Sequence, residues 1–451
     1  MDAAIQRYIE DHLPEYLDDL KRLCRQPSVA AQNYGVQECA QLTKQMLEDS
    51  GFSTQLLSTK DPRNLVVYAE RAGLSTKRLL FYNHYDVQPA EPIGLWDSPP
   101  FEPTEREGRI FARGVSDDKG PLVARMAAMK AILAVRGELP CGVKFCIEGA
   151  EEIGSPGFVP FVEEHLELLG ADACIWEGGG VNWNGNPEIT LGLKGILYVE
   201  LEVRSSARDS HSSYATVVPN PAWRLVWALS TLKDRDENIL IPGFYDDVRK
   251  ALPLELEAVA RMPSEEENLK EELGLPRFLK DLEGESFRRR HLLEPTCTIC
   301  GIEAGYTGEG TKTVLPSAAR VKLDFRLVPN QRPDDILEKL KAHLATQGFG
   351  DLMVNYADGE NPSRTAMDSP FVKLVSDTAR EVYRMEPVIV PSLGGSGPMY
   401  CISKGLGLPI ASSGIGFPDD KIHSPNENAR IEYFLKGIFH VAAILDAFGK
   451  G

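Results

Sequence analysis

Positive charge is scarce in this sequence. Lys and Arg number 49 against 66 Asp and Glu, a formal net charge of −17 over 451 residues. Nucleic-acid affinity comes largely from Lys and Arg neutralising phosphates, so the deficit argues against a polyanionic partner. It favours solubility and is silent about fold. Also lacking is an apolar run long enough to span a membrane. The opening stretch "MDAAIQRYIEDHLPEYLDDLKRLC" is charged throughout at helical spacing and has no apolar signal-peptide core. The expected location is cytoplasmic, with no membrane partner. Cysteine is sparse and irregularly spaced, eight in all, mostly inside apolar runs such as those holding Cys146 and Cys174. That pattern argues against a disulfide framework and for reduced core thiols. Cys297-x-x-Cys300 has no second Cys pair to complete a zinc knuckle and no redox-motif helix, and reads as structural. Internal repeats and low-complexity tracts are absent.

What is present is an ordinary globular composition, 43% hydrophobic and 25% charged. The length suggests two or three domains. Helical patterns over 3–25 and 36–50 precede four short apolar strands, "RNLVVYAE", "RLLFYNHYDV", "GVKFCIEG" and "ADACIWEGG". Between the second and third strands lies an Ala- and Met-rich helix, with Pro121 suited to its first turn and Gly137 to its end. Such alternation predicts an α/β fold, a sheet with helices on both faces. From Gly192 the texture changes to a smaller α+β unit, with strands "KGILYVELEVRS" and "ARVKLDFRLVPN", helices "PNPAWRLVWALSTL" and "PDDILEKLKAHLATQ", and an acidic helical stretch over 246–283. The first texture then returns, with a helix over 370–384 and a final helix from Asn428 to Phe448. The expected organisation is a main domain, 1–191 and 364–451, interrupted by an insert, 192–363.

The chemistry gathers at the ends of the predicted strands. His84, Asp117, Glu151-Glu152 and Glu177 occupy such places in the main domain, and His423 lies in "DDKIHSPNE". In open α/β sheets, ligand sites collect outside the carboxyl ends of strands, so residues far apart in sequence can converge. Each has a plain alternative when taken alone: a hydrogen-bonded His, acids in a helix first turn, a loop acid. Their shared topological place favours a cluster. In His84-x-Asp86 both side chains share a strand face, so Asp86 can hold the imidazole ring. Two imidazoles and three carboxylates without thiolate suit zinc, with manganese or cobalt as substitutes. If one carboxylate bridges, each of two metals has three protein donors and an open position, as catalytic sites need. Two such metals polarise a carbonyl and acidify a shared water. When one member of a Glu-Glu pair binds metal, its neighbour is within reach of that water as general base.

At these residues the chain resembles the dinuclear zinc metallopeptidases that include carnosinase, cytosolic nonspecific dipeptidase, carboxypeptidase G, aminoacylase, acetylornithine deacetylase and succinyl-diaminopimelate desuccinylase. The motifs "HYDVQP", "WDSPPFEP", "GRIFARGVSDDKGP", "EGAEEIGSPG", "HSSY", "DFRLVPN", "GGSGP" and "IHSPNE" carry the likeness over essentially the whole chain. The resemblance implies a zinc-peptidase-like fold whose insert serves as lid and dimerisation domain. It implies that His84 and His423 bind different metals, Asp117 bridges them, Glu152 and Glu177 are ligands, Glu151 is the base and Asp86 the clamp. It also implies a cis peptide between Asp117 and Asp118. His211 matches a histidine that reaches into the neighbouring subunit's site to stabilise an oxyanion. Arg326 matches the residue gripping a substrate carboxylate, and the loop of Gly394, Gly395 and Ser396 brings donors to the same group. Trp96 reads as loop packing. One departure is Glu177, where the dipeptidase branch usually has Asp and the carboxypeptidase and deacylase branches more often have Glu.

The expected protein is therefore a homodimeric enzyme with two zinc ions per subunit. It hydrolyses dipeptides or similar small substrates with a free carboxylate, through a metal-bridging water activated by Glu151. The alternatives are an N-acyl-amino-acid deacylase or carboxypeptidase of the same chemistry and, in another class, a non-catalytic metal-stabilised binding protein. An intact Glu151 argues against the last, because a structural site needs no base.

Overall fold

The computed structural model describes residues 2–450 and is a mixed α/β protein. Ten strands build its two larger sheets: β1 (Ser53–Ser58), β2 (Leu65–Arg71), β3 (Arg78–His84), β4 (Gly142–Glu148), β5 (Ala173–Trp176), β6 (Gly195–Arg204), β7 (Thr298–Ala304), β8 (Ala318–Leu327), β9 (Met353–Glu360) and β10 (Ile410–Ser412). The main sheet runs β1-β2-β4-β3-β5-β10. Its inner pairs, β3 with β4, β3 with β5, and β5 with β10, are parallel. β1 and β2 complete one edge antiparallel.

Parallel strands covered on both sides read as continuous apolar runs, and β4 is buried at every position. Side chains nevertheless alternate between two cores. Leu79, Phe81, Phe145 and Ile147 pack with the helices Lys119–Arg136 and Ile431–Lys450. Leu80, Tyr82 and Cys146 face Phe158, Met399 and Ile402. The helix Lys119–Arg136 makes the crossover from the β3 side to β4 and ends at Gly137, whose φ of 80° is the left-handed cap glycine adopts cheaply. Within it, Arg125 is fully buried and donates to the carbonyls of Tyr82 and Trp176, both at 2.6 Å. This one guanidinium ties together the exits of β3 and β5.

The second sheet, β7-β8-β6-β9, is antiparallel throughout. Helices Pro221–Leu229 and Pro333–Thr346 contribute Leu225 and Leu340 to its core, with Leu197, Val199, Leu323 and Phe325 from the strands. The opposite face is polar and carries Arg326 and Glu360 on either side of Ile196. The chain enters and leaves this unit side by side, with Gly192–Leu193 paired antiparallel to Ser363–Arg364.

Three segments differ from the sequence expectation. The first helix breaks at His12 into Ala3–Asp11 and Leu13–Arg25, because Pro14 starts a helix more readily than it continues one. The acidic stretch divides into Pro253–Arg261 and Glu266–Leu273, with Pro263 in the break. Residues Asn428–Arg430 form a strand against Arg109–Phe111, and the last helix starts at Ile431. All eight cysteines are free, seven buried and Cys300 exposed. No described helix is long and apolar enough to cross a membrane.

Candidate metal centre

His84 closes β3, Glu151 and Glu152 open a short helical turn after β4, and Glu177 follows β5. Three adjacent strands thus end at one place. Asp117 lies elsewhere than expected, in the loop before helix Lys119–Arg136 rather than at a strand end. His423 comes from the loop ahead of Asn428–Arg430.

These segments meet. Asp117 directs Oδ1 to His84 Nε2 and Oδ2 to His423 Nε2, each at 3.1 Å. His84 Nε2 also lies 3.8 Å from Glu177 Oε2. His423 Nε2 lies 3.1 Å from Glu152 Oε2. One carboxylate therefore stands between two histidines, each with an acid of its own. The Asp117–Asp118 peptide is cis. Asp118 joins the first group: His84, Asp118 and Glu177 offer donor atoms within 4.8 Å of one another, as do Asp117, Glu152 and His423.

Asp86 is wholly buried and binds both halves of the turn, its Oδ1 accepting from Glu151 N and its Oδ2 from Glu152 N, each at 3.1 Å. Its Oδ1 is also 3.4 Å from His84 Nδ1, and its backbone carbonyl is 3.0 Å from the same nitrogen. A single side chain fixes the histidine ring and the paired acids.

The electrostatics of the cluster are those of carboxylates seeking positive charge. Burial works against a charged His84, but Asp117 and Asp86 outweigh it and raise its pKa well above the ordinary value. Asp117 raises His423 to about 10, with help from Glu152. Burial opposes ionisation of Asp117, yet His423 and His84 hold its carboxyl below the usual range. Burial, reinforced by neighbouring acids, pushes Glu151 and Glu177 well up. Buried Glu177 Oε2 and Asp118 Oδ1 have no hydrogen-bond partner. Desolvated carboxylate oxygens without partners are costly. Two imidazoles and several carboxylates, with lone pairs converging on two points, fit a pair of divalent cations.

The carboxylate-gripping candidates also meet. Arg326 Nη1 donates to Ser396 Oγ at 2.9 Å. Gly395 O accepts from Lys194 N at 2.9 Å. A Cβ placed on Gly397 would stand 3.6 Å from Glu151 Oε1, so this loop abuts the paired acids. His211 is exposed, with contacts to Ser213 and Thr313 and none to the cluster. Trp96 donates to Ala90 O at 2.7 Å.

Sequence reasoning missed Glu427, the last residue of "IHSPNE". Only 1% exposed, it accepts from Gly114 N and Arg113 at 2.8 Å, Ser116 N at 3.0 Å and Asp117 N at 3.2 Å, moulding the loop that presents Asp117. An acid closing a motif that opens with a ligand was the available signal. Gln88 of "DVQP" donates to Glu152 Oε2 at 2.8 Å.

Comparison with known proteins gives a family match over residues 80–447, described as "Peptidase family M20/M25/M40". The Cys-Gly metallodipeptidase dug1 of Schizosaccharomyces pombe is 32% identical over 378 residues, 81% of this chain and 78% of that protein. The Beta-Ala-His dipeptidase of Homo sapiens is 29% identical over 82% of this chain and 75% of that protein. Among solved structures, an M20 family metallo-carboxypeptidase from Sulfolobus solfataricus superposes with a TM-score of 0.92 at 41% identity, covering 97% of this chain and 100% of that one. Human carnosine dipeptidase 1 superposes at 0.83 and 26% identity, covering 99% of each.

Proposed function

Because the chain belongs to peptidase family M20/M25/M40 and is a metallopeptidase by that membership, we propose that it hydrolyses dipeptides bearing a free carboxylate at a dinuclear zinc centre. The observation that carries this reading is the division of Asp117 between His84 and His423. His84, Glu177 and Asp117 would hold one ion and His423, Glu152 and Asp117 the other. When bound, the ions supply Lewis acidity toward the scissile carbonyl and acidify a water. Glu151 takes the water's proton and passes it to the departing amine. Asp86 keeps Glu151 and His84 in place. Arg326, with Ser396 and Gly395, grips the substrate carboxylate.

The division into a catalytic part, 1–191 and 364–451, and a lid, 192–363, belongs to the same proposal, as does a cytoplasmic homodimer. Dimerisation through the lid is supported by Trp223 and Trp227, 57% and 55% exposed and stacked at 6.0 Å on one helix. His211 would then act in the partner's site, consistent with its lack of a role in its own. Sedimentation of wild type and Trp223→Asp tests this: a wild-type monomer refutes it.

Turnover of dipeptides against N-acetyl and N-succinyl amino acids, with zinc, manganese and cobalt, tests the substrate class. Preference for blocked amines refutes the dipeptidase reading. A second reading, carboxypeptidase action, is favoured by Glu177 and by the 41% identity to a structure of that name. It is told apart by release of the last residue from N-blocked tripeptides.

A further inference from the structure

Where the paired crossings join the lid to the catalytic part, a cavity of about 560 Å³ opens between them, within the size range of small-molecule sites. Its charge runs against that of the molecule. In a chain of net charge −17, the wall carries Arg249 and Arg332 from the lid, Arg364 from the crossing strand and Lys404 from the catalytic part, opposed only by Glu255 and Asp368.

Internal pairing does not remove the excess. Glu255 is committed on both oxygens: Oε1 accepts from Arg249 at 2.6 Å and Arg364 at 3.2 Å, and Oε2 accepts from Leu252 N at 2.8 Å. One carboxylate thus serves two guanidiniums and leaves a positive charge uncompensated. The Arg364 side chain is 7% exposed, and its Nε and Nη2 have no hydrogen-bond partner. Arg332 has only a solvent-exposed ion pair with Asp334, at 3.7 Å, of little worth. Lys404 has no ionic or hydrogen-bonded side-chain partner among the described residues. Unspent cations on two sides of the recess, with Arg364 buried at its wall, call for an anion, and guanidinium forks are matched to phosphate oxygens.

We propose that this cavity binds a phosphate-bearing small molecule that ties Arg249 and Arg332 of the lid to Lys404 of the catalytic part. The site shares no residue with the metal centre, and its occupancy is independent of the peptidase reading. Calorimetric titration of the zinc-loaded enzyme with pyrophosphate tests it, with citrate as a carboxylate control, on wild type and on Arg332→Glu and Lys404→Glu. Neither residue belongs to the proposed catalytic machinery, both are at the surface, and thermal melts check that the variants fold. The expected result is a pyrophosphate event, additional to binding at the metals, that each charge reversal weakens at least tenfold, on opposite walls of the cavity. Absence of wild-type binding overturns the proposal, and so does binding equal to wild type in both variants, which would put the anion on the metal centre. Citrate binding as tightly as pyrophosphate, with the same sensitivity to the variants, would overturn the phosphate class.

Discussion

Strands β3, β4 and β5 are packed on both faces and their chains run directly into His84, Glu151 and Glu177. β8 of the other sheet alternates, buried at Ala319, Val321, Leu323, Phe325 and Leu327, and half-buried or exposed between them, Arg326 included. Metal donors must be held to within a fraction of an ångström, and two-sided packing with Arg125 and Asp86 behind it supplies that rigidity. A residue gripping the far end of a substrate can sit on a sheet with one free face. On the proposed reading, the difference separates the part that would hold the reaction from the part that would grip the substrate.

The strongest test of that separation is Glu151→Ala. It should lower kcat by about 10²–10⁴-fold while metal analysis still finds about two ions per chain; loss of metal would mean that the residue is a ligand. Asp86→Ala should weaken metal affinity by about 10- to 100-fold, read by chelator competition, because the histidine and both acids lose one common support. Arg326→Ala should raise KM for free-carboxylate substrates about tenfold or more, from a charged hydrogen bond of about 1.5–3 kcal/mol, and leave metal content untouched. If it strips metal, the two regions are not separable.

The smallest effect is expected between the two regions. Burial, with Glu265 adding to it, pushes Glu188 from the ordinary 4.5 up to about 7. A carboxyl raised in the folded state binds its proton there longer than in the unfolded chain. Stability therefore falls as pH rises through the window from about 4.5 to about 7. Glu188→Gln should equal wild type below pH 4 and exceed it above pH 7 by roughly 1–3 kcal/mol in urea unfolding.

Much of this was legible because the informative residues sit at the ends of apolar runs: "RLLFYNH" and "GVKFCIE" mark both a strand and where it delivers its next side chain. Asp117 escaped that pattern, since its position depends on Glu427, more than three hundred residues downstream, reaching four donors in the loop around it. The strand at Asn428–Arg430 has a helical pattern in the sequence for the same reason: its partner, Arg109–Phe111, is remote. Asp118, Gln88 and the cationic recess around Arg364 are likewise products of tertiary approach, with no local periodicity to announce them.

The loop that meets Arg326 through Ser396 passes Glu151 one residue later, where a Cβ on Gly397 would stand 3.6 Å from Glu151 Oε1. Since a residue spans about 3.3–3.6 Å, the proposed grip of Arg326 and the proposed base Glu151 would act as a gauge with a fixed stop, measuring how much chain lies beyond the bond to be cut. On that reading, selection by length would precede any inspection of side chains.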